Sequence, residues 1–160
     1  FFIPDRNLAH YVATQVPEKQ FVFNEGYCPI HEEIQIEELK KAKQLHPNAE
    51  VLTHPECKES LLALSDYIGS TSEIISYAKK SNAKEFIICT ETGVRFELEK
   101  QNPDKIFYFT ETEPICTDMK KITLEKVLHV LLEEANEMVV SEEICKNSQK
   151  PLERMLELAK

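Results

Sequence analysis

The sequence predicts an α/β fold built on a parallel β-sheet. Short apolar runs alternate with amphipathic stretches of roughly ten residues, as successive βαβ units require. The connections between these segments are short, which the same architecture favours. Hydrophobic residues make up 42% of the 160-residue chain, which is enough to fill the core of one domain or of one domain with parts of its neighbours.

The elements are predicted in order along the chain. The opening run FFI (1–3) predicts a strand, and the next segment predicts a helix with Pro4 in its first turn. FVF (21–23) predicts a second strand. The later strands are predicted at 50–53, 66–69, 85–89 and 106–109. The intervening helices are predicted at 36–45, 58–65, 70–81, near 93–100, and at 123–136. SEEICKNSQ and PLERMLELA predict two closing helices.

This order predicts three parts of unequal size. Residues 1–28 complete one α/β domain, residues 29–140 form a second, and residues 141–160 pack elsewhere. The chain has no initiator Met and begins abruptly on a predicted strand, so we expect a fragment whose preceding chain is missing. FFIPDRNLAHYV lacks the basic leader of a signal peptide.

Composition excludes several classes of function. A net charge of −9 disfavours nucleic acid and anionic membranes as partners. No apolar run approaches the ~18 residues of a membrane-spanning helix. The five cysteines are odd in number and widely spaced, which favours a reducing compartment such as the cytoplasm. The sequence has no CxxC pair, so a zinc ribbon is not expected and any metal site must join distant loops.

Residues that follow the predicted strands are the candidates for chemistry, because ligands of parallel α/β sheets gather at the carboxyl ends of strands. In chain order these candidates are Cys28 and His31, then His54, Glu56 and Cys57, then Ser70 and Thr71, then Thr90, Glu91 and Thr92, and finally Cys116. Taken alone, the cysteines would more often be ordinary half-buried thiols and the histidines solvated loop residues. Ser70 is equally compatible with a simple helix N-cap.

Several segments together resemble a known family. PDRNLAHYV, GYCPIHEE, HPNAEVLTHPEC, GSTSEII, CTETGV, CTDMKKITLEKVL and PLERMLEL are similar to successive blocks of the quinolinate synthases, in the same order and spacing. The resemblance covers essentially the whole chain, as the C-terminal half of such an enzyme.

The resemblance implies a fold and an activity. The family condenses iminoaspartate with dihydroxyacetone phosphate to quinolinate, with loss of phosphate and water, in NAD biosynthesis. It uses three similar three-layer α/β/α domains around a pseudo-threefold axis, and each domain gives one cysteine to a central 4Fe-4S cluster. Cys28 and Cys116 match two of these ligands, and the third would lie in the missing N-terminal half. The open iron would act as a Lewis acid.

The same matching implies roles for other residues. His31 would contact a substrate carboxylate, and Glu56 would be the general acid or base with His54 as its binding or proton-transfer partner. Ser70 and Thr71 would hold a carboxylate or phosphate at a helix start. The chain departs from the family at Glu73, where Gly is frequent. Residues 141–160 would pack on the missing first domain.

Two other hypotheses remain open at this stage. One is a non-catalytic α/β module that binds a dicarboxylate or phosphate at the strand exits. The other is a zinc hydrolase that uses His31, His54 and Glu56. Metal analysis distinguishes the three. Cys57 is expected to pack rather than to bind the cluster, and Cys89 and Cys145 are expected to be core or surface thiols.

Overall fold

A parallel four-stranded sheet forms the centre of the computed structural model, which describes residues 1–159. Its strands are β1 (Glu50–Thr53), β2 (Tyr67–Ile68), β3 (Glu85–Cys89) and β4 (Ile106–Phe109), in the spatial order β2-β1-β3-β4. The helices are α1 (Arg6–Gln15), α2 (Pro29–Glu33), α3 (Ile36–Leu45), α4 (Glu59–Leu62), α5 (Thr71–Lys80), α6 (Arg95–Gln101), α7 (Leu124–Glu133) and α8 (Glu142–Leu158).

Helices cover both faces of this sheet. Val51 and Ile87 pack with Leu39 of α3 and Leu61 of α4 on one face. The neighbouring strand residues point to the opposite face, since side chains alternate along a strand. There Leu52, Phe86 and Ile88 pack with Ile74 of α5 and Leu98 of α6. The predicted three-layer α/β/α arrangement with a parallel sheet is therefore confirmed.

The register of the sheet decides which loops meet. Thr53, the last residue of β1, pairs with Cys89, the last residue of β3, and with Ile68 of β2. All three strands are parallel, so they end at the same edge. The segments that leave β1 and β3 consequently emerge side by side.

The chain divides into two compact units. The first spans Phe1–Thr117 and contains the sheet with α1 to α6. The second begins at Asp118 and contains a 3-10 turn at Met119–Lys121, followed by α7 and α8. Within the described residues of α7 and α8, no side chain is buried.

Four predicted elements differ from the structure. The described segments 1–3 and 21–23 are not β-strands, although the Phe2 N–H donates to the Val22 carbonyl at 2.9 Å. The two closing helices are one helix, α8, which contains Pro151. Because α8 is exposed to solvent, water can hydrate the carbonyl that Pro151 leaves without an N–H partner, and the helix continues through it.

Helix α2 was not predicted, because five residues of PIHEE carry no helical apolar period. Among residues 1–159, no helix combines the length and apolar character needed to cross a membrane.

Candidate functional site

The carboxyl ends of β1 and β3 form the base of the site. His54 directly follows β1, and its backbone N–H donates to the Cys89 carbonyl at 3.0 Å. This bond extends the pairing of the two strands by one residue. Glu56, two residues beyond His54, and Thr90, directly after β3, are thereby brought to the same edge of the sheet.

Helix α2 places His31 over this edge. The helix begins after Cys28 with Pro29 at its first position, where proline's fixed φ suits a helix start. His31 is 7% exposed. Its Nδ1 lies 3.0 Å from Glu56 Oε2, and its Nε2 lies 2.9 Å from Thr90 Oγ1. His31 therefore bridges the two strand exits.

The charge of Glu56 determines which group donates the hydrogen bond between Glu56 and His31. The hydrogen bond from His31 lowers the pKa of Glu56, outweighing the opposing effect of burial, and contributions from His54 and from a hydrogen bond with Cys28 lower it further. Glu56 is therefore a carboxylate at neutral pH and can only accept hydrogen bonds. We accordingly place a proton on His31 Nδ1, which donates to this carboxylate, while Nε2 is the ring nitrogen that contacts the Thr90 hydroxyl.

His54 is a neutral ring stacked on His31. The ring centroids are 4.4 Å apart and the planes are within 6° of parallel. Burial lowers the pKa of His54, and its proximity to His31 lowers it further. The Glu56 backbone N–H donates to His54 Nδ1 at 3.3 Å, so the neutral ring carries its proton on Nε2. The 3.9 Å between His54 Nδ1 and Glu56 Oε2 is too long for a hydrogen bond.

Cys28 completes a group that can hold a metal ion. One ligand atom each from Cys28, His31 and Glu56 lie within 4.8 Å of one another. The Cys28 thiol is half-buried, and it lies where α2 begins. Sulfur, imidazole nitrogen and carboxylate oxygen together suit iron or zinc. His54 and Cys116 lie outside this group as the described residues define it.

Cys116 reaches the same edge from the loop after β4. Its backbone N–H donates to Glu91 Oε1 at 3.1 Å, and Glu91 directly follows Thr90. Contacts therefore connect Cys116 through Glu91 and Thr90 to His31, and His31 bonds to Glu56 beside Cys28. Cys116 is half-buried, like Cys28.

Ser70 and Thr71 lie at the exit of the neighbouring strand, β2. Ser70 is the N-cap of α5, and Thr71 is its first residue. The Ser70 N–H and hydroxyl each donate to Glu73 Oε2 at 2.7 Å. The two Ser70 donors predicted to hold an anion thus bind a carboxylate of their own helix.

Cys57 belongs to the core. It is fully buried, and its thiol donates to the Cys89 carbonyl at 3.5 Å. Burial raises the pKa of Cys57 well above its ordinary value. The thiol is therefore neutral and inaccessible, as the packing interpretation expected.

Sequence reasoning left several neighbours out of the site. The Asn7 amide donates to Glu32 Oε2 at 2.9 Å and to the Glu56 carbonyl at 3.0 Å. Arg6 donates to Glu32 Oε1 at 3.0 Å, so α1 supports both α2 and the loop that carries Glu56. PDRN directly follows an apolar run, and that was the signal that could have included Asn7.

Comparison with known proteins identifies relatives along the whole chain. The family model described as quinolinate synthetase A protein matches residues 1–157. The chain belongs to the quinolinate synthase family. It is 49% identical over 157 residues to the quinolinate synthase of Caldicellulosiruptor bescii, a match that covers 98% of this chain and 52% of the relative. It is 48% identical over 158 residues to that of Clostridioides difficile, covering 99% of this chain and 52% of the relative.

The quinolinate synthase of Fusobacterium nucleatum is also 48% identical, over 159 residues that cover 99% of this chain and 53% of the relative. The chain thus spans about half the length of the curated quinolinate synthases it matches. The family resemblance predicted from the sequence blocks is confirmed.

Proposed function

We propose that this chain is the C-terminal half of a quinolinate synthase, a cytoplasmic transferase of NAD biosynthesis. The enzyme would condense iminoaspartate with dihydroxyacetone phosphate to quinolinate and release phosphate and water. Family membership supports the proposal. The observation that carries it is the meeting of Cys28, His31 and Glu56 at one sheet edge. The remaining half of a polypeptide as long as the relatives would complete the site, within pseudo-threefold related domains.

The thiols of this chain fit a 4Fe-4S cluster. Thiolates are the usual ligands of such clusters, and Cys28 and Cys116 are half-buried thiols connected along one edge. Cys57 and Cys89 are fully buried, and burial raises the pKa of each, so they do not suit the role. Two cysteines are too few for a cluster, and the third ligand would come from the other half. When bound, the cluster supplies a Lewis-acidic iron that polarises a substrate oxygen.

The other site residues would bind substrate and move protons. Glu56, charged at neutral pH, is suited to accept a proton from a substrate carbon or nitrogen. His54 is neutral and presents Nε2–H as a donor to a substrate carboxylate. His31 holds Glu56 in place through Nδ1, and its proposed contact with a substrate carboxylate would have to replace the Thr90 hydroxyl at Nε2.

Ser70 and Thr71 would hold the phosphate or a second carboxylate at the start of α5. Glu73 now accepts both Ser70 donors, so its side chain would have to turn away when an anion binds. Neither nucleic acid nor a membrane is expected as a partner of this acidic chain.

Metal analysis of matched cysteine variants tests the proposal. The complete polypeptide, purified without oxygen, should contain iron and sulfide. Cys28→Ser and Cys116→Ser should each lose the cluster, whereas Cys145→Ser should keep it, because Cys145 is exposed on α8 in the second unit. Parent-like iron in the first two variants would refute their assignment as ligands.

The same measurement judges the alternatives. The Cys28, His31 and Glu56 group also suits Zn²⁺, so zinc without iron would favour a zinc enzyme. A metal-free protein that binds phosphate or a dicarboxylate without turnover would favour a non-catalytic module.

A further inference from the structure

The backbone of Cys28 is held by a buried carboxylate. Asp5 is 3% exposed, and its Oδ2 accepts the Cys28 N–H at 2.8 Å. Its other oxygen, Oδ1, accepts the Leu8 N–H at 2.7 Å and so caps α1. Both oxygens of a side chain almost without water contact are thereby satisfied by backbone donors.

The backbone of Cys116 is held in the same way. Glu91 is 9% exposed, and its Oε1 accepts the Cys116 N–H at 3.1 Å. Its Oε2 accepts the Gly93 N–H at 2.6 Å and caps the 3-10 helix Thr92–Val94. As in Asp5, one carboxylate oxygen accepts a hydrogen bond from a helix start and the other accepts one from the backbone of a cysteine.

A second backbone contact repeats beside each carboxylate. The residue after Asp5, Arg6, donates its N–H to the carbonyl of Gly26 at 2.8 Å. The residue after Glu91, Thr92, donates to the carbonyl of Pro114 at 3.0 Å. Each acceptor lies two residues before its cysteine. The local geometry thus occurs twice at separate places in the chain, and both times it fixes a cysteine proposed as a cluster ligand.

We infer that Asp5 and Glu91, the carboxylate clamps, are positioning residues for the thiols of Cys28 and Cys116. The inference rests on the proposed function, but neither residue is itself a ligand. Hydrogen bonds to ionised acceptors are stronger than neutral ones, and a ligand must be held to within about 0.5 Å of its working position. The clamps also place negative charge beside each cysteine, which favours the oxidised form of a cluster there.

Amide variants remove one of the two acceptor oxygens of each carboxylate clamp. Asp5→Asn and Glu91→Gln keep the size of each side chain but leave one acceptor oxygen, which can serve the helix N–H or the cysteine N–H but not both. Asp66→Asn is the matched control. Asp66 Oδ2 also accepts a backbone N–H, that of Val51 at 2.8 Å, but at the opposite end of the sheet.

The first measurement is amide hydrogen exchange in the complete, metal-free polypeptide. The Cys28 amide should exchange about tenfold faster in Asp5→Asn, and the Cys116 amide about tenfold faster in Glu91→Gln, as expected for the loss of one charge-assisted hydrogen bond. Each variant should leave the other cysteine unaffected, and Asp66→Asn should leave both at the parent rate. Unchanged exchange in the two clamp variants would overturn the inference.

The second measurement follows the cluster. In both clamp variants, iron should pass to a chelator several-fold faster than in the parent, and the reduction midpoint potential should shift to more positive values. Faster amide exchange with parent-like iron release and potential would also overturn the inference, because the contacts would then only stabilise the fold. Absence of iron and sulfide from the unsubstituted polypeptide would refute the proposed function. Amide exchange would still test, separately, whether Asp5 and Glu91 hold the two cysteine backbones.

Discussion

At the scale of single residues, the hydrogen bond from His31 is the main cause of the lowered pKa of Glu56. It lowers the Glu56 pKa below its ordinary value of 4.5 despite partial burial. The carboxylate consequently stays ionised as the pH falls from neutral through that ordinary value. Glu56 is therefore available as a base throughout the physiological range, while the neutral His54 beside it is available as a donor.

Replacing Glu56 by Gln should depress turnover without removing the cluster. The amide cannot accept a proton from substrate, and the loss of a general base typically lowers kcat by a factor of about 10² or more. Steady-state kinetics with iron analysis of the complete polypeptide measures both effects. Glu37→Gln, at an exposed position of α3, should behave like the parent. Parent-like turnover in Glu56→Gln would exclude the proton-transfer role.

The buried thiols of Cys57 and Cys89 should be unreactive toward alkylating reagents. Burial raises the pKa of Cys89 to about 12 and that of Cys57 well above its ordinary value, so at pH 8 both remain thiols rather than nucleophilic thiolates. We expect iodoacetamide at pH 8 to modify the exposed Cys145 of the native chain and to spare both of them, as mass spectrometry would show. Unfolding should make all three reactive. Alkylation of native Cys89 at the rate of Cys145 would contradict the structure.

The site residues differ in how well local sequence predicts them. His54 and Glu56 could be placed at a sheet edge because they follow a recognisable buried strand. Thr90 could not be assigned as the partner of His31, because their contact depends on the register that pairs Thr53 with Cys89. No local pattern encodes a register between strands so far apart in the chain.

At the scale of elements, the start of α5 combines a helix cap with a predicted anion site. Hydrogen bonds from the Ser70 hydroxyl and backbone N–H lower the pKa of Glu73, so it is a carboxylate at neutral pH. Its stabilising contribution to the helix start is present above the ordinary pKa of 4.5 and is lost as the pH falls below it. A substrate anion and Glu73 would therefore compete for the same donors.

Glu73→Ala should strengthen anion binding and should destabilise the start of α5, because the hydrogen bonds from Ser70 to Glu73 are lost. The KM for dihydroxyacetone phosphate should fall roughly twofold to fivefold, the range expected for one exposed charge, while the thermal midpoint decreases. Kinetics and thermal unfolding of the complete polypeptide test this pair of effects. Glu125→Ala is the control, since Thr123 likewise lowers the pKa of Glu125 at the start of α7. An unchanged KM in Glu73→Ala would show that Glu73 does not compete with the substrate anion for the Ser70 donors.

Elements were predictable where apolar periodicity was strong. Strands β1 to β4 and helices α3 and α5 lie where the pattern placed them, because their buried side chains recur with strand or helix period. Helix α2 is too short to show a period, and its start is favoured by Pro29 at the first position, where the fixed φ of proline suits a helix. The single helix α8 shows that Pro151 is an unreliable stop signal on an exposed helix.

At the scale of the whole molecule, the two units differ in what stabilises them. The first unit contains both hydrophobic clusters of the sheet. In the second, apolar side chains of α7 remain open to solvent, with Leu124 84% and Leu131 73% exposed. Helices of about ten residues are marginal in water without a packed face, so α7 depends on tertiary contacts for its stability.

Hydrogen exchange should therefore depend on whether the rest of the polypeptide is present. In the isolated 160-residue chain, the amides of α7 should exchange nearly as fast as an unfolded peptide, while those of β1 and β3 stay protected by the core. In a polypeptide of the relatives' length, the apolar face of α7 should be covered and its amides should be protected at least tenfold more. The protection of β1 and β3 in both samples serves as the internal control. Equal and strong protection of α7 in the isolated chain would show that this helix needs no partner to be stable.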